Sequence, residues 1–490
     1  MLGRKVALGA ALLTALQLFI KFADIISLVV MARLLTPADF GLVALAASVL
    51  IIMRATTELN VSDALVQRKE IDARDVDTAF TINCVRGLVV ALVIVATAWP
   101  MAKFYNDQRL VAILLCMALV PLVSSLNSPA LVYFLHRLQY GPSARIQVVG
   151  RVAGLGVALA LAYATRSYWA LIASQLVTPA VSMVYSYILA PHRPRFRLQG
   201  AKRLLNFAGW MTASRFISTV NLQSDRFLIG HLLGKTQLGQ YTVGSDMASL
   251  ATYAFASPIM QTMFGGFSRL HAEPERVRAA YLKAQQMLVI VLLPFGFGVA
   301  SVADHLVPLV LGPNWDAVTT VIYWLAPVVS LQVLYMPLLS LAMAKGQPRI
   351  LVVRETINLA LRMPLTLAGA WYYGLLGAVI ARSLGGLVII LMTLMIAHRF
   401  VHINVLQQIA NIWRSLVAVA VMVLGIAILK TCLPSGVSTL LSIRIVELAL
   451  LIAAGIVLYT GTHVGLWLLA KRPDGAEQFL LNLIKRRGHR

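Results

Sequence analysis

Apolar runs of about 20 residues recur from end to end of the chain, each long enough to cross roughly 30 Å of hydrocarbon as a helix. Short clusters of charged residues, proline and glycine separate them. Breaking the sequence at those clusters predicts spans near residues 11–33, 40–60, 78–101, 109–135, 147–165 and 168–190. A basic linker containing "PHRPRFRLQGAKR" follows, then spans near 206–230, 240–264, 281–304, 317–344, 355–372 and 375–398, and two more near 415–433 and 443–470. Stretches such as "RGLVVALVIVATAW" are apolar on every face, whereas a spanning β-barrel needs short strands that alternate with a period of two. The expected fold is an all-α polytopic membrane protein of about 14 transmembrane helices. Its expected parts are a six-helix lobe over 1–190, a linker over 191–205, a second six-helix lobe over 206–398, two additional helices over 399–470 and a basic tail over 471–490.

The first break in the apolar pattern, "RLLTPADFGL" from Arg33, is echoed by "HLLGKTQLGQY" from His231. An offset of 198 residues superposes Leu34-Leu35 on Leu232-Leu233, Phe40 on Leu238 and Gly41 on Gly239. Each lobe has an even number of spans, so the two breaks fall on the same side of the membrane. The expected repeat is therefore parallel, a common transporter design with substrate held between the halves.

Composition changes the picture little, but charge refines it. Apolar residues make up 59% and charged residues 12% of the 490, against about a quarter charged in soluble chains. The net charge of +23 would point to nucleic acid in a soluble protein. Sorted by loop, most of the Lys and Arg fall in the N-terminus, the even-numbered loops and the C-terminal tail, which places both termini in the cytoplasm and removes the need for a nucleic-acid partner. The N-terminal apolar run reads as the first span rather than a cleaved signal. The tail "AEQFLLNLIKRRGHR" reads as a basic amphipathic segment on the inner-leaflet surface. Cys84, Cys116 and Cys432 lie inside apolar segments with neither metal-ligand nor disulfide spacing. No catalytic motif, metal site or cofactor site is expected.

Ionisable side chains inside spans cost about 2.5–3.5 kcal/mol each on insertion scales and so mark interior or aqueous faces. Thr14, Gln17, Lys21 and Asp24 form one polar stripe on the first span, and the repeat offset carries the first three onto Thr212, Arg215 and Thr219. Ser214, Ser218, Asn221 and Asp225 form a neighbouring stripe, with Arg226 beside it, and Asp246, Ser249, Tyr253 and Ser257 line the eighth span. Arg54, Arg86, Arg362 and Arg382 add further positive charge, so bases outnumber acids and the interior suits an anion. Lys21 with Asp24, and Arg54 with Glu58, are also spaced for pairing along one helix. Arg86, Arg226 and Arg382 lie where a long side chain can snorkel to the interface, and Arg362 also fits a structural pair between helices. The expected substrate contacts are Lys21, Arg54, Arg86, Arg215, Arg226 and Arg362, led by Arg215, which has no acid one turn away. Asp24, Asp225 and Asp246 are candidates for coupling to protons or Na⁺, with structural hydrogen bonding as the competing role.

The chain resembles the polysaccharide-transporter family of bacterial lipid-linked oligosaccharide flippases, the Wzx-type branch of the multidrug/oligosaccharidyl-lipid/polysaccharide exporter superfamily. The resemblance rests on "ARLLTPADFGLVALA", "ALVQR", "DRFLIGHLLG", "LGQYTVG", "FSRL" and "LVPLVLGPNWDAV", in that order along the chain. It departs at "ELNVSDALVQR", where related sequences often carry Asp-Gly, which weakens any role for Glu58 through Asp63. The resemblance implies a non-enzymatic protein of the bacterial inner membrane that moves an undecaprenyl-diphosphate-linked sugar repeat unit by alternating access. Its implied partners are that lipid-linked oligosaccharide, membrane lipids, a polysaccharide polymerase and assembly proteins. The alternatives are a cation-coupled drug exporter of the same superfamily, which would favour an acidic cavity, and a membrane glycosyltransferase or polymerase, which would carry a larger extramembrane catalytic region.

Overall fold

The computed structural model describes residues 2–57, 72–137, 139–197, 209–270, 274–347, 349–432, 441–472 and 477–478. Of residues 2–15, 17–18, 56–57, 73, 209–215, 251 and 253–270 it describes the backbone alone. The described regular structure is helical, and the chain is an all-α polytopic membrane protein whose helices follow the 14 expected spans in order. The chain divides into two compact units, Met1–Thr242 and Val243–Arg490.

The first unit begins with α1 (Leu2–Leu34) and α2 (Pro37–Thr57). The chain stops between them because the residue before a proline is driven away from helical backbone angles, while Pro37 itself suits the first turn of the next helix. Thr36 then caps α2. Its hydroxyl accepts from the Asp39 N–H at 3.3 Å, and Asp39 Oδ2 accepts from the Thr36 N–H at 3.0 Å, a reciprocal capping box with Asp in the usual Glu place.

Next come α3 (Ala73–Phe104), α4 (Arg109–Ser125), the short α5 (Leu131–His136), α6 (Gly141–Thr165) and α7 (Trp169–Leu189). The expected fourth span is thus broken after Ser125 by a turn through Ser128, whose N–H and hydroxyl are held by Ser186 and by the Ala190 carbonyl. The α6–α7 hairpin closes through small residues. A Cβ on Gly150 or Gly154 would run into Ser182 or Thr178 of α7, the close approach that takes the place of a hydrophobic driving force between helices in lipid. After α7 the linker is strapped along α3. Asp77 accepts from the Arg195 N–H at 3.2 Å and lies 3.1 Å from His192 Nε2, and Thr81 Oγ1 accepts from the Arg197 N–H at 2.9 Å.

The long helix α8 (Gly209–Leu270) breaks at Gly234, where φ is +80°, a conformation that favours glycine. Its first arm and the start of its second belong to the first unit. In the second unit, α9 (Pro274–Ser301) packs against α11 (Asp316–Leu331) and α14 (Val405–Cys432), and α14 packs against α15 (Leu441–Leu469). Between them lie α10 (Ala303–Val310), α12 (Met336–Ala344) and α13 (Arg349–Val401). The last is two spans joined at Tyr373-Gly374, where Gly374 takes φ +61°. Leu288, Leu292, Val333, Leu394, Val419 and Leu451 belong to one apolar cluster at the centre of this unit.

Candidate functional site

In the first unit, polar side chains from helices far apart in sequence meet, some of them buried and others, Arg54 among them, exposed. Asp24 on α1 forms an ion pair with Arg151 of α6, not with Lys21 of its own helix. Both partners are roughly one-quarter to one-third exposed. Lys21 is half-buried one turn before Asp24 and makes no ion pair with a described residue. The local charge of Lys21, Asp24 and Arg151 is therefore one positive unit in excess.

On α2, Arg54 Nη2 donates to Ser124 Oγ of α4 at 3.0 Å. Glu58, its partner along the helix in the sequence reading, lies outside the described residues. Deeper on α2, the Ser48 hydroxyl donates to Gln223 Oε1 of α8 at 2.9 Å, with both side chains buried. Asp225, fully buried, accepts from the Tyr241 hydroxyl at 2.7 Å. That bond ties the two arms of α8 across the Gly234 break. Arg86 and Arg226 are both half-buried, on α3 and α8. Arg215 belongs to the first arm of α8, but its side chain lies outside the described residues, as do those of Thr14, Gln17, Thr212 and Ser214 on the expected stripes.

In the second unit, Arg362 is buried on the first half of α13, and Gly385 on the second half approaches its Cα. Asp246 and Arg382 are half-buried, and the Tyr253 and Ser257 side chains are outside the described residues.

Three basic residues that the sequence reading did not single out are also paired, and two of them are buried. Arg151 holds Asp24. Arg354 donates from Nε to Thr393 Oγ1 at 3.0 Å, pairs with Glu355, and lies with Cζ 4.0 Å from the Tyr335 ring centroid. Arg414 is buried on α14 and pairs with Glu477 at 2.9 Å. Glu477 corrects the expectation of a surface-lying tail at that residue, because it is buried among α9, α14 and α15. Among the described residues no group of three His, Cys, Asp or Glu side chains is placed to hold a metal ion.

At the far end of the first unit a charged clasp joins the α3–α4 turn to the α8 break. Asp107 accepts from Arg109 at 2.6 Å and from Lys235 Nζ at 3.0 Å. The bond from Arg109 is the main cause holding the Asp107 carboxyl well below its ordinary value; partial burial opposes it and Lys235 adds to it. Tyr105 Oη donates to the Phe227 carbonyl at 3.0 Å and His231 stacks on Phe104 at 4.1 Å.

A many-span helical chain in which charged side chains pair between helices is a polytopic membrane protein. The model of the family described as "Polysaccharide biosynthesis protein" matches residues 30–320, more than half of the chain. The chain belongs to that family, the polysaccharide-transporter branch of the multidrug/oligosaccharidyl-lipid/polysaccharide exporter superfamily. Lipopolysaccharide biosynthesis protein WzxC of Escherichia coli K12 is 23% identical over 361 residues, covering 72% of this chain and 73% of its own. Succinoglycan biosynthesis transport protein ExoT of Rhizobium meliloti is 25% identical over 288 residues, 58% of each chain. Teichuronic acid biosynthesis protein TuaB of Bacillus subtilis is 23% identical over 290 residues, covering 58% of this chain and 60% of its own. The matches to ExoT and TuaB thus span less than two thirds of those relatives. Among solved structures, the lipid II flippase MurJ in an inward closed conformation superposes with a TM-score of 0.75 at 12% identity, over 94% of this chain and all of MurJ. An inward-facing multidrug resistance MATE family transporter gives 0.60 at 14% identity, over 79% of this chain and 98% of its own. These two likenesses are of fold.

Proposed function

We propose that this chain is a flippase that carries an undecaprenyl-diphosphate-linked oligosaccharide repeat unit from the inner to the outer leaflet of the bacterial inner membrane, for surface or exopolysaccharide synthesis. It works by alternating access and leaves its cargo chemically unchanged. The observation that carries this reading is the excess positive charge on α1. Arg151 takes the charge of Asp24, so the Lys21 ammonium one turn away has no acid partner among the described residues. A diphosphate supplies the missing negative charge through charge-assisted hydrogen bonds, while its polyprenyl tail stays in the bilayer. Membership of a polysaccharide biosynthesis family and a fold shared with a lipid II flippase support the same cargo class.

In this reading the chain is made of two six-helix lobes, 1–190 and 206–398, joined by the linker 191–205 and followed by the helices of 399–470 and the tail of 471–490. Both termini are cytoplasmic. Lys21, Arg54, Arg86, Arg215, Arg226 and Arg362 contact the diphosphate at successive stages. Asp24, Asp225 and Asp246 are the groups through which a proton or Na⁺ gradient is coupled. For Asp24 and Asp225, coupling means loosening the bonds from Arg151 and Tyr241. A polymerase and assembly proteins take the product on the far side.

The test is leaflet transfer of an undecaprenyl-diphosphate-linked oligosaccharide in vesicles holding the purified protein. Transfer is expected to exceed that of protein-free vesicles, with the lipid recovered at unchanged mass. No acceleration overturns the proposal, and a covalently altered product turns it into an enzyme.

A further inference from the structure

Arg414 is the tenth residue of α14 and is buried, yet none of Ala410, Asn411, Val417 and Ala418, three and four residues away on the same helix, is an acid. A buried guanidinium without a counterion costs several kcal/mol. Its counterion comes from beyond the last span. Glu477 Oε1 lies 2.9 Å from Arg414 Nη2 and 3.5 Å from His463 Nε2, and Gln286 Nε2 donates to the two Glu477 oxygens at 3.2 and 3.0 Å. The three groups sit on α14, α15 and α9, and each is more than nine-tenths buried. His463 stacks on Tyr459, whose hydroxyl donates to the Ile290 carbonyl at 2.8 Å, so the α15 side of the pocket is fixed to α9. Ile412, Ala418 and Tyr459 belong to the apolar cluster around it.

We infer that Gln286, Arg414 and His463 form an oxyanion-binding site whose ligand is the carboxylate of Glu477, so that this residue is docked among α9, α14 and α15. The set suits a carboxylate: an amide N–H donates to both oxygens, and a guanidinium and an imidazole lie within ion-pair distance of one of them, from three different helices. Burial pushes the Glu477 carboxyl up, but His463 and Arg414 outweigh it and hold the group below its ordinary value, which keeps it charged. The docking is independent of the cargo, since none of these residues belongs to the proposed diphosphate contacts.

The experiment uses the full chain in lipid nanodiscs, with Cys84, Cys116 and Cys432 replaced and a spin label at Gln478→Cys, an exposed position beside the docked residue. Glu477→Ala is expected to lower the melting temperature and to mobilise the label. Acetate, the probe for the vacated site, is expected to recover part of the lost melting temperature relative to equal chloride. It is expected to do nothing for the wild type or for Glu477→Ala combined with Arg414→Gln. A Glu477→Ala chain that melts like the wild type with an unchanged label overturns the inference. So does an acetate effect equal in all three chains.

Discussion

Gly41 and Gly239 pack on one another reciprocally: a Cβ added to either would lie 3.0 Å from the other's backbone nitrogen. The Gly41 Cβ would also overlap the Lys235 carbonyl oxygen, and the Gly239 Cβ the Pro37 carbonyl oxygen. The same offset that carries Gly41 onto Gly239 carries Pro37 onto Lys235. Exchanging the two segments therefore reproduces the contact, as in an isologous interface in which residue i meets j and j meets i. Two similar sequence segments pack against each other, and glycine is required at both because the obstacle is backbone that cannot rotate away.

The reciprocity makes a quantitative prediction. Gly41→Ala and Gly239→Ala should each destabilise by about 1–3 kcal/mol, the usual cost of overfilling a packed contact. Once one substitution has pushed the segments apart, the second has less left to disturb. The double variant should therefore cost clearly less than the sum of the singles. Melting temperatures of the four proteins test it, and additive losses would show that the two sites do not share one contact.

The pairing of Asp24 with Arg151 separates stability from transport on neighbouring residues of one helix. Asp24→Asn or Arg151→Gln strands the opposite charge, at about 1–3 kcal/mol for a pair between the exposed and fully buried limits. The swapped pair, Asp24→Arg with Arg151→Asp, should recover much of that loss. Lys21→Gln should leave the melting temperature nearly unchanged. It should slow leaflet transfer about 10-fold or more, since a hydrogen bond to a charged group contributes about 1.5–3 kcal/mol. Normal transfer by Lys21→Gln would remove Lys21 from the path.

What could be read from the sequence follows from how each signal is encoded. A span is encoded by length and all-round apolarity, so α1 to α15 follow the expected order although single ends moved by several residues. Charged residues near those ends were the casualty. Spans that start near 355 and 415 by hydropathy leave Arg354 and Arg414 just outside, as topological charge, whereas α13 begins at Arg349 and α14 at Val405 and both side chains are buried. Local spacing also misleads where a distant helix competes. Lys21 and Asp24 are spaced to pair along α1, but the packing of α6 on α1 brings Arg151 to the acid instead. Nothing near Glu477 in sequence marks it as a buried counterion, because its partners lie 191, 63 and 14 residues back on three helices, at Gln286, Arg414 and His463.

Arg215 is tested by function alone. The repeat offset places it opposite Gln17 in register, on the face that carries Lys21 in the first copy. Arg215→Ala is expected to lower leaflet transfer at least as much as Lys21→Gln, at normal protein levels, and Arg215→Lys to recover part of it. The recovery should be incomplete because an ammonium cannot make the bidentate contact of a guanidinium. Wild-type transfer by Arg215→Ala removes it from the mechanism.

The Asp107 clasp should make stability depend on pH in one direction. Arg109 and Lys235 hold the folded carboxyl below its ordinary value of 3.8. A group depressed in this way contributes its full stabilisation above the unfolded value, and loses it as pH falls toward the folded one, because the unfolded chain takes up the proton first. The wild type should therefore melt higher than Asp107→Asn at neutral pH, and the gap should begin to close only below about pH 4. The same gap should shrink with added salt, since the clasp lies at the surface end of the first unit, where Arg109 and Lys235 are both more than two-fifths exposed. A gap that is constant from pH 7 to pH 3 would assign the effect of Asp107→Asn to lost packing rather than to charge.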